Sequence, residues 1–176
     1  MRKKLWCIVV TAVCLLALCV FFNKVQIPRE GMKAVEVDEA LENAISSAVI
    51  LHNKDNFWIS GESENTYSTE YHNVLKVENY GETTEVYLIS HYAEYQYLDH
   101  EIQITGGRRG PCVITFDVDQ GKYMMRDYWE PKDGALYRQS ILERFPEDLW
   151  DINVESLDEG AEEICYQRAV EYFGIE

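Results

Sequence analysis

The sequence contains one long stretch that is rich in β-branched and aromatic residues and free of glycine and proline: Thr83-Thr84-Glu85-Val86-Tyr87-Leu88-Ile89-Ser90-His91-Tyr92-Ala93-Glu94-Tyr95-Gln96-Tyr97. This composition predicts a long β-strand. Successive side chains of a strand point to opposite faces. One face would carry Val86, Leu88 and Tyr92, and the other Tyr87, Ile89, Ala93, Tyr95 and Tyr97. Because both faces are largely apolar, we predict a central strand that is covered on both sides near its start.

The segments around this strand predict further strands. Residues 67–79 alternate in polarity, and a turn at 79–82 connects them to the central strand. Residues 101–105 favour a strand, residues 112–118 alternate again, and a hairpin turn at 119–121 precedes a last strand at 122–129. The glycine-rich run from Gly106 to Pro111 is interpreted as a turn. The pattern predicts about four antiparallel strands joined by short turns.

Helices are predicted on either side of the strands. Asp38 is a good N-cap for a helix over about 39–51, whose apolar stripe includes Ile45, which we expect to be buried against the sheet. Residues 131–134 break the sheet and start a second helix, which Pro146 ends. A last helix follows Ser156 or Asp158, and Gly174 stands at its C-terminal cap.

This order of elements predicts an α+β domain, with helices over one face of an antiparallel sheet. By analogy alone, the sheet would be curved, as in cystatin-like or NTF2-like folds. Trp129 is expected to pack at the corner where the sheet ends, and Asp133 to cap the helix that follows.

The N-terminal 24 residues differ from the rest of the chain. A basic start, Met1-Arg2-Lys3-Lys4, precedes an uncharged run from Leu5 to Phe22, about 27 Å long as a helix. We expect an uncleaved transmembrane anchor, with a cleaved signal peptide and lipidation of Cys19 as alternatives. The basic cluster predicts a single-pass protein of the cell membrane, with its N-terminus inside and its C-terminal domain outside. Residues 25–37 would form a linker and residues 38–176 the extracytoplasmic domain.

Charge is distributed unevenly along the chain. Twelve of the 16 basic residues and all 31 acidic residues follow Lys24, which gives this part a net charge of −19. Such a charge argues against binding nucleic acid or an anionic membrane surface. Its simplest role is solubility, and a surface for cations or for a basic partner is the alternative.

Two cysteines, Cys112 and Cys165, follow the apolar segment. Outside the cytoplasm they could form a disulfide, and two buried free thiols are an equal alternative. Cys112 follows Pro111 at the start of a predicted strand, which favours burial over nucleophilic catalysis.

Two sets of residues are candidates for ligand binding. Arg108 and Arg109 lie in the glycine-rich run and could hold a carboxylate or phosphate, or simply offset the acidic surface. Tyr87, His91, Tyr95 and Tyr97 share one strand face and could line a groove, or form an ordinary sheet surface.

Catalytic motifs are missing from the sequence. The four histidines, His52, His72, His91 and His100, form no helical pair at metal-ligand spacing, and there is no calcium-binding loop motif. We therefore predict no metal site and no cofactor. An enzyme acting on envelope material, using His91 or His100 with nearby carboxylates, is the rival hypothesis.

Three segments carry a resemblance: 44–53, the Gly61-Glu62 pair, and Tyr128-Trp129-Glu130-Pro131-Lys132-Asp133-Gly134, which continues through Tyr137 to Pro146. Together they resemble an uncharacterised extracytoplasmic region of Gram-positive bacterial proteins. A similar region is appended to some BlaR-type membrane sensor metallopeptidases. The resemblance covers about residues 41–150, and the peptidase motif H-E-x-x-H is missing.

The resemblance implies a location and a type of domain, and no activity. We therefore expect a membrane-anchored, non-catalytic domain that binds a ligand or another envelope protein. A regulatory subunit of a membrane sensor is a further alternative.

Overall fold

The computed structural model describes residues 37–56, 65–154 and 160–175. The predicted anchor, nearly all of the linker, the Gly61-Glu62 pair and the proposed caps Ser156 and Asp158 lie outside these ranges. Among the described residues, no helix is both long enough and apolar enough to cross a membrane.

The described chain forms a four-stranded antiparallel sheet with helices before and after it. The strand order is β1-β2-β3-β4, so each strand pairs with its neighbour in sequence. The elements are α1 (Glu39–Asn56), β1 (Thr66–Tyr80), β2 (Thr83–Leu98), β3 (Glu101–Asp119), β4 (Lys122–Trp129), α2 (Tyr137–Arg144) and α3 (Ala161–Phe173), with short 3₁₀ turns at Gly134–Leu136 and Glu147–Leu149. The predicted α+β class and the predicted central strand are confirmed.

Helix α1 covers one face of the sheet. The Asp38 side chain accepts a hydrogen bond from the backbone N–H of Leu41 at 2.7 Å, which confirms the predicted cap. Ile45 and Val49 are 0% exposed and pack in one cluster with Val86 of β2. The predicted burial of Ile45 against the sheet is therefore confirmed. We call this side of the sheet the α1 face.

The opposite side, which we call the α3 face, is covered by the C-terminal helices. Tyr87 packs in one cluster with Phe145, which directly follows α2. Ala93 and Tyr95 pack with Cys165 and other residues of α3. The prediction that helices lie over one face is wrong. The physical reason lies in β2, which carries apolar side chains on both faces, so each face needs a cover.

The glycine-rich run is not a turn. Gly106 to Gly110 lies inside β3, opposite residues 90–94 of β2, and a bulge at Thr105 precedes it. The turn lies at Asp99 and His100, where φ is 51° and 69°. A Cβ on Gly107 would stand 3.1 Å from the Tyr92 carbonyl oxygen, so this glycine permits close approach of two strands.

Strand β3 extends well beyond β4. The β3–β4 ladder covers Val113–Asp119 on β3 and ends at Trp129 on β4. Pro111 and Pro131 flank this end, and proline has no N–H to donate to a ladder. Within the described ranges, β3 from Glu101 to Pro111 therefore forms the outer edge of the sheet.

The corner after β4 differs in one detail from the prediction. Trp129 is half-buried against Phe145, with ring centroids 5.9 Å apart, as expected. The Asp133 side chain makes no capping hydrogen bond, so the predicted cap is wrong. Instead, Ser140 Oγ accepts a hydrogen bond from the Lys132 N–H at 3.1 Å and donates one to the Tyr137 carbonyl at 2.9 Å.

Both predicted helix ends after the sheet are confirmed. Helix α2 ends at Arg144, and Phe145 is extended before Pro146. Gly174 ends α3 in the left-handed conformation, with φ at 66°.

Cys112 and Cys165 are both free thiols and both buried. They belong to clusters on opposite faces of the sheet, so the structure has the two buried thiols and not the disulfide. Burial raises the pKa of the Cys112 thiol to about 12. Such a thiol is a poor nucleophile at neutral pH.

Candidate functional site

An open cavity of about 530 Å³ lies on the α3 face, beside the part of β3 that extends past β4. We call it the β3 groove. Three elements supply the residues that line it: His91 and Tyr95 from β2, Ile102, Ile104, Gly107 and Arg109 from β3, and Glu162, Glu163 and Tyr166 from α3. Arg108 and Tyr92 complete its rim.

The register of β2 and β3 explains the floor of the groove. His91 pairs with Arg109, Ala93 with Gly107, and Tyr95 with Ile104. Residues paired in this way have side chains on the same face of a sheet, here the α3 face. Gly107 has no side chain and Ala93 only a methyl group, so the floor is hollow at its centre.

Helix α3 forms the wall. Cys165 is buried against the sheet, which brings the helix close and places Tyr166 over the groove. The rings of Tyr95 and Tyr166 meet edge to face at 6.2 Å. Burial, chiefly, raises the pKa of Tyr95 to about 12, and nearby Cys165 and Glu162 add to the shift. Tyr95 therefore remains a protonated, neutral phenol at the floor.

Charged side chains of both signs surround this aromatic centre. Glu162 and Glu163 lie exposed in the first turn of α3. Arg108 Nε lies 2.6 Å from Glu130 Oε1, so its charge already has a partner. Of the charged side chains on the α3 face, two carboxylates, Glu162 and Glu163, and one guanidinium group, Arg109, line the groove. The local charge is slightly negative, in the same sense as the charge of the whole domain.

Glu130 connects Arg108, at the rim of the groove, to helix α1 on the other face of the sheet. Its Oε2 lies 3.3 Å from Nε2 of His52 in α1, and the His52 ring stacks on Tyr128 with centroids 3.9 Å apart. Burial, chiefly, holds the pKa of Tyr128 well above its usual range. The segment Tyr128–Gly134 thus contributes to a polar contact between α1 and β3 as well as to the corner.

The structure brings together most of the residues that the sequence singled out. His91, Tyr95 and Arg109 line the groove, and Arg108 lies at its rim. Tyr87 does not belong to it: its ring packs edge to face on Phe145, at 5.5 Å. The predicted row of tyrosines is therefore partly covered by the C-terminal helices.

Sequence reasoning missed the other lining side chains that β3 and α3 supply: Ile102, Ile104, Glu162, Glu163 and Tyr166. The first two carried a usable signal, because they alternate in a strand that continues through Gly107. The last three did not, since nothing local shows that α3 packs beside β3.

The two histidines of the rival enzyme hypothesis are far apart. His91 lies in the middle of β2, and His100 lies in the turn beyond its end. Seven strand residues, from Tyr92 to Leu98, lie between them and span roughly 23 Å. Across residues 37–56, 65–154 and 160–175, no group of three or more His, Cys, Asp or Glu side chains could hold a metal ion.

A second cavity of about 380 Å³ lies between α1 and β1. Its main polar groups contact one another: His72 Nδ1 is 2.9 Å from Glu70 Oε2, and His72 Nε2 is 3.2 Å from Glu42 Oε1. Ser46 Oγ donates a hydrogen bond to Glu70 Oε1 at 2.6 Å. These contacts join α1 to β1, so we assign the cluster a structural role.

Comparison of the chain with protein-family models, with curated proteins and with solved structures finds no match. Any assignment of function therefore rests on the geometry of the β3 groove and on the sequence.

Proposed function

We propose that this protein is a membrane-anchored, non-catalytic domain that binds a ligand or another envelope protein through the β3 groove. One observation carries the proposal: an open cavity with aromatic, apolar and charged side chains lies beside a strand that extends past its neighbour. Concave sites that combine apolar surface with a few polar groups are the usual binding sites of proteins. Ile104, which is 65% exposed, supplies apolar surface at the open side.

The contents of the groove favour binding over catalysis. A nucleophile must reach its substrate, and both thiols of the described domain are 0% exposed. His91 is buried among its strand neighbours, and His100 is too distant to act with it. The groove instead offers flat rings and charges of both signs, which suit recognition.

The cellular location is proposed from the sequence. The basic start and the uncharged run from Leu5 to Phe22 support a single-pass anchor with the domain outside the cell membrane. The resemblance to the region appended to sensor metallopeptidases supports an envelope partner, and such a sensor is one candidate. A curved, cystatin-like or NTF2-like sheet belongs to the same proposal, by analogy.

Site-specific photocrosslinking tests the binding role. A photoreactive amino acid would replace Ile104 or Tyr166 in the full-length protein, in the membranes of cells that make it. Matched controls would carry it at Met124 or Leu51, which are 56% and 55% exposed and lie outside the groove. We expect adducts of defined mass at the two groove positions only. Equal labelling at all four positions, or none from folded protein, would contradict the proposal.

Topology is tested separately. A tag after residue 176 should be digested by protease added to intact protoplasts, while the N-terminus stays with the cell. A shortened form released into the medium would contradict the anchor.

A further inference from the structure

We infer that the β3 groove takes an extended, basic peptide segment of another protein, which adds as a strand along the outer edge of β3. This inference rests on the proposed binding function and names the class of partner.

The first argument is the edge itself. The β3–β4 ladder ends at Val113, and residues 101–110 of β3 continue past it. Ten residues of strand span about 33 Å. An edge strand presents backbone N–H and C=O groups that another chain can pair with, which is the basis of recognition by strand addition. Pro111 lies between the part of β3 that pairs with β4 and the part that forms this edge.

The second argument is the position of the groove relative to the edge. Side chains of an added strand would alternate between the two faces of the sheet, so every second one would point to the α3 face. On that face it would meet Ile104, Tyr95 and Tyr166, which line the groove next to the edge. Backbone pairing would supply affinity, and this pocket would supply specificity.

The third argument is charge. The part of the chain after Lys24 carries a net charge of −19, which attracts basic partners and repels acidic ones. At the groove, the two exposed carboxylates of Glu162 and Glu163 outnumber the one guanidinium group of Arg109, and Arg108 is paired with Glu130. A lysine or arginine among the side chains that point to the α3 face would reach the two carboxylates of α3.

The probe is a displayed library of random peptides about 12 residues long, enough to span the edge. It is selected on the full-length protein in detergent. We expect enriched peptides to combine apolar and basic residues within one alternate set of positions, the set that faces the groove, and their binding to weaken as salt is raised. Enrichment of acidic peptides, or of none, would overturn the inference.

Backbone N-methylation separates strand addition from binding by side chains alone. In a strand at an edge, only every second N–H points toward the neighbouring strand. Methylating one alternate set of amides in an enriched peptide should weaken binding by about tenfold or more, and methylating the other set should have little effect. Equal effects of both sets would overturn the inference.

Protein variants locate the interaction. We expect Ile104→Lys, and the double variant Glu162→Gln with Glu163→Gln, to weaken binding about tenfold. Met124→Lys on β4 is the matched control and should bind like the parent. Bound peptide should slow amide hydrogen exchange in residues 101–110 and leave the other edge strand, β1, unchanged.

The possible failures are distinguishable. Peptides that bind without slowing amide hydrogen exchange in residues 101–110 would overturn strand addition. In that case, photocrosslinked adducts at position 104 would still support a binding domain. Self-association that Ile104→Lys abolishes would make a second copy of this chain the occupant and would also overturn the inference. Missing adducts at both groove positions would contradict the binding function itself.

Discussion

At the scale of single residues, the clearest electrostatic feature is His72 on β1, which lies between Glu70 and Glu42. The His72 and Glu70 side chains are 6% and 4% exposed. Burial alone would lower the pKa of His72, but the hydrogen bond and charge of Glu70, together with the charge of Glu42, raise it above its ordinary 6.5. Burial would raise the pKa of Glu70, but the hydrogen bond to His72 and its charge outweigh burial and hold that pKa below 4.5. The charged His72–Glu70 pair lies within β1, and its contacts with Glu42 and Ser46 join it to α1.

The first prediction is a pH dependence of stability. The pKa of His72 is raised on folding, so protonated His72 stabilises the fold fully below pH 6.5. This stabilisation is lost as the pH rises through the raised pKa. The pKa of Glu70 is lowered on folding, so ionised Glu70 stabilises the fold fully above pH 4.5. This stabilisation is lost as the pH falls through the lowered pKa. The stabilisation is thus greatest between pH 4.5 and 6.5.

His72→Gln should therefore lower the free energy of unfolding more at about pH 5.5 than at about pH 9. Each pH unit by which a pKa is raised corresponds to about 1.4 kcal/mol. Glu42→Gln should show a smaller effect, since that side chain is 55% exposed. Urea denaturation at both pH values measures the difference, and equal losses at the two would refute the charged pair.

The second prediction concerns the corner after β4, where Ser140 and not Asp133 makes the hydrogen bonds. Ser140→Ala leaves the Lys132 N–H without this acceptor and should cost about 1 kcal/mol. Asp133→Ala removes no capping bond and should cost less than about 0.5 kcal/mol. Thermal denaturation of the two variants compares them directly. A larger loss for Asp133→Ala would show that the carboxylate does cap the turn.

At the scale of elements, β3 decides the shape of the groove. Two of its three glycines, Gly107 and Gly110, have different surroundings. A Cβ on Gly107 would meet the Tyr92 carbonyl oxygen at 3.1 Å, whereas a Cβ on Gly110 would meet nothing within 4 Å. The first glycine allows β2 and β3 to approach closely, and the second has no steric requirement.

The third prediction uses this matched pair. Gly107→Ala should destabilise the domain by about 1 kcal/mol, because the strands must shift to admit the methyl group. Gly110→Ala should be neutral or slightly stabilising, because alanine has less backbone entropy to lose on folding. Chemical denaturation of both variants tests the contrast. Equal effects would show that the close contact at Tyr92 carries no energetic weight.

At the scale of the whole molecule, two helical layers share one sheet. Helix α1 packs on Val86 and Leu88 of β2. The C-terminal helices pack on Tyr87 and Ile89, which alternate with them along the same strand. Adjacent residues of a single strand thus belong to different hydrophobic clusters. The layers therefore depend on each other through β2, and we expect them to unfold together.

The fourth prediction follows from this shared strand. Ile45→Ala in α1 should lower the free energy of unfolding by about 2–5 kcal/mol, the range for truncating a large core residue. Unfolding should remain a single transition, seen equally by probes placed in α1 and α3. Leu51→Ala, on the exposed side of α1, should cost less than about 0.5 kcal/mol. Separate transitions for the two layers would contradict the shared core.

Much of the fold follows from local patterns in the sequence. The alternation in residues 83–97 predicted β2 and both of its faces, and the stripe around Ile45 predicted the buried side of α1. Asp38, Pro146 and Gly174 marked helix ends correctly, because capping and proline geometry act over a few neighbouring residues. The sequence also singled out His91, Tyr95 and the two arginines as candidate ligand-binding residues, since their residue types suit recognition.

The tertiary structure alone decided what surrounds those residues. It placed Gly106–Gly110 inside β3, because pairing with β2 outweighs the preference of glycine for turns. It also brought Glu162 and Tyr166 of α3 beside Ile104, although about 60 residues of chain separate them. Such contacts arise from burial of the α3 face as a whole, which depends on non-directional hydrophobic packing and leaves no local pattern in the sequence.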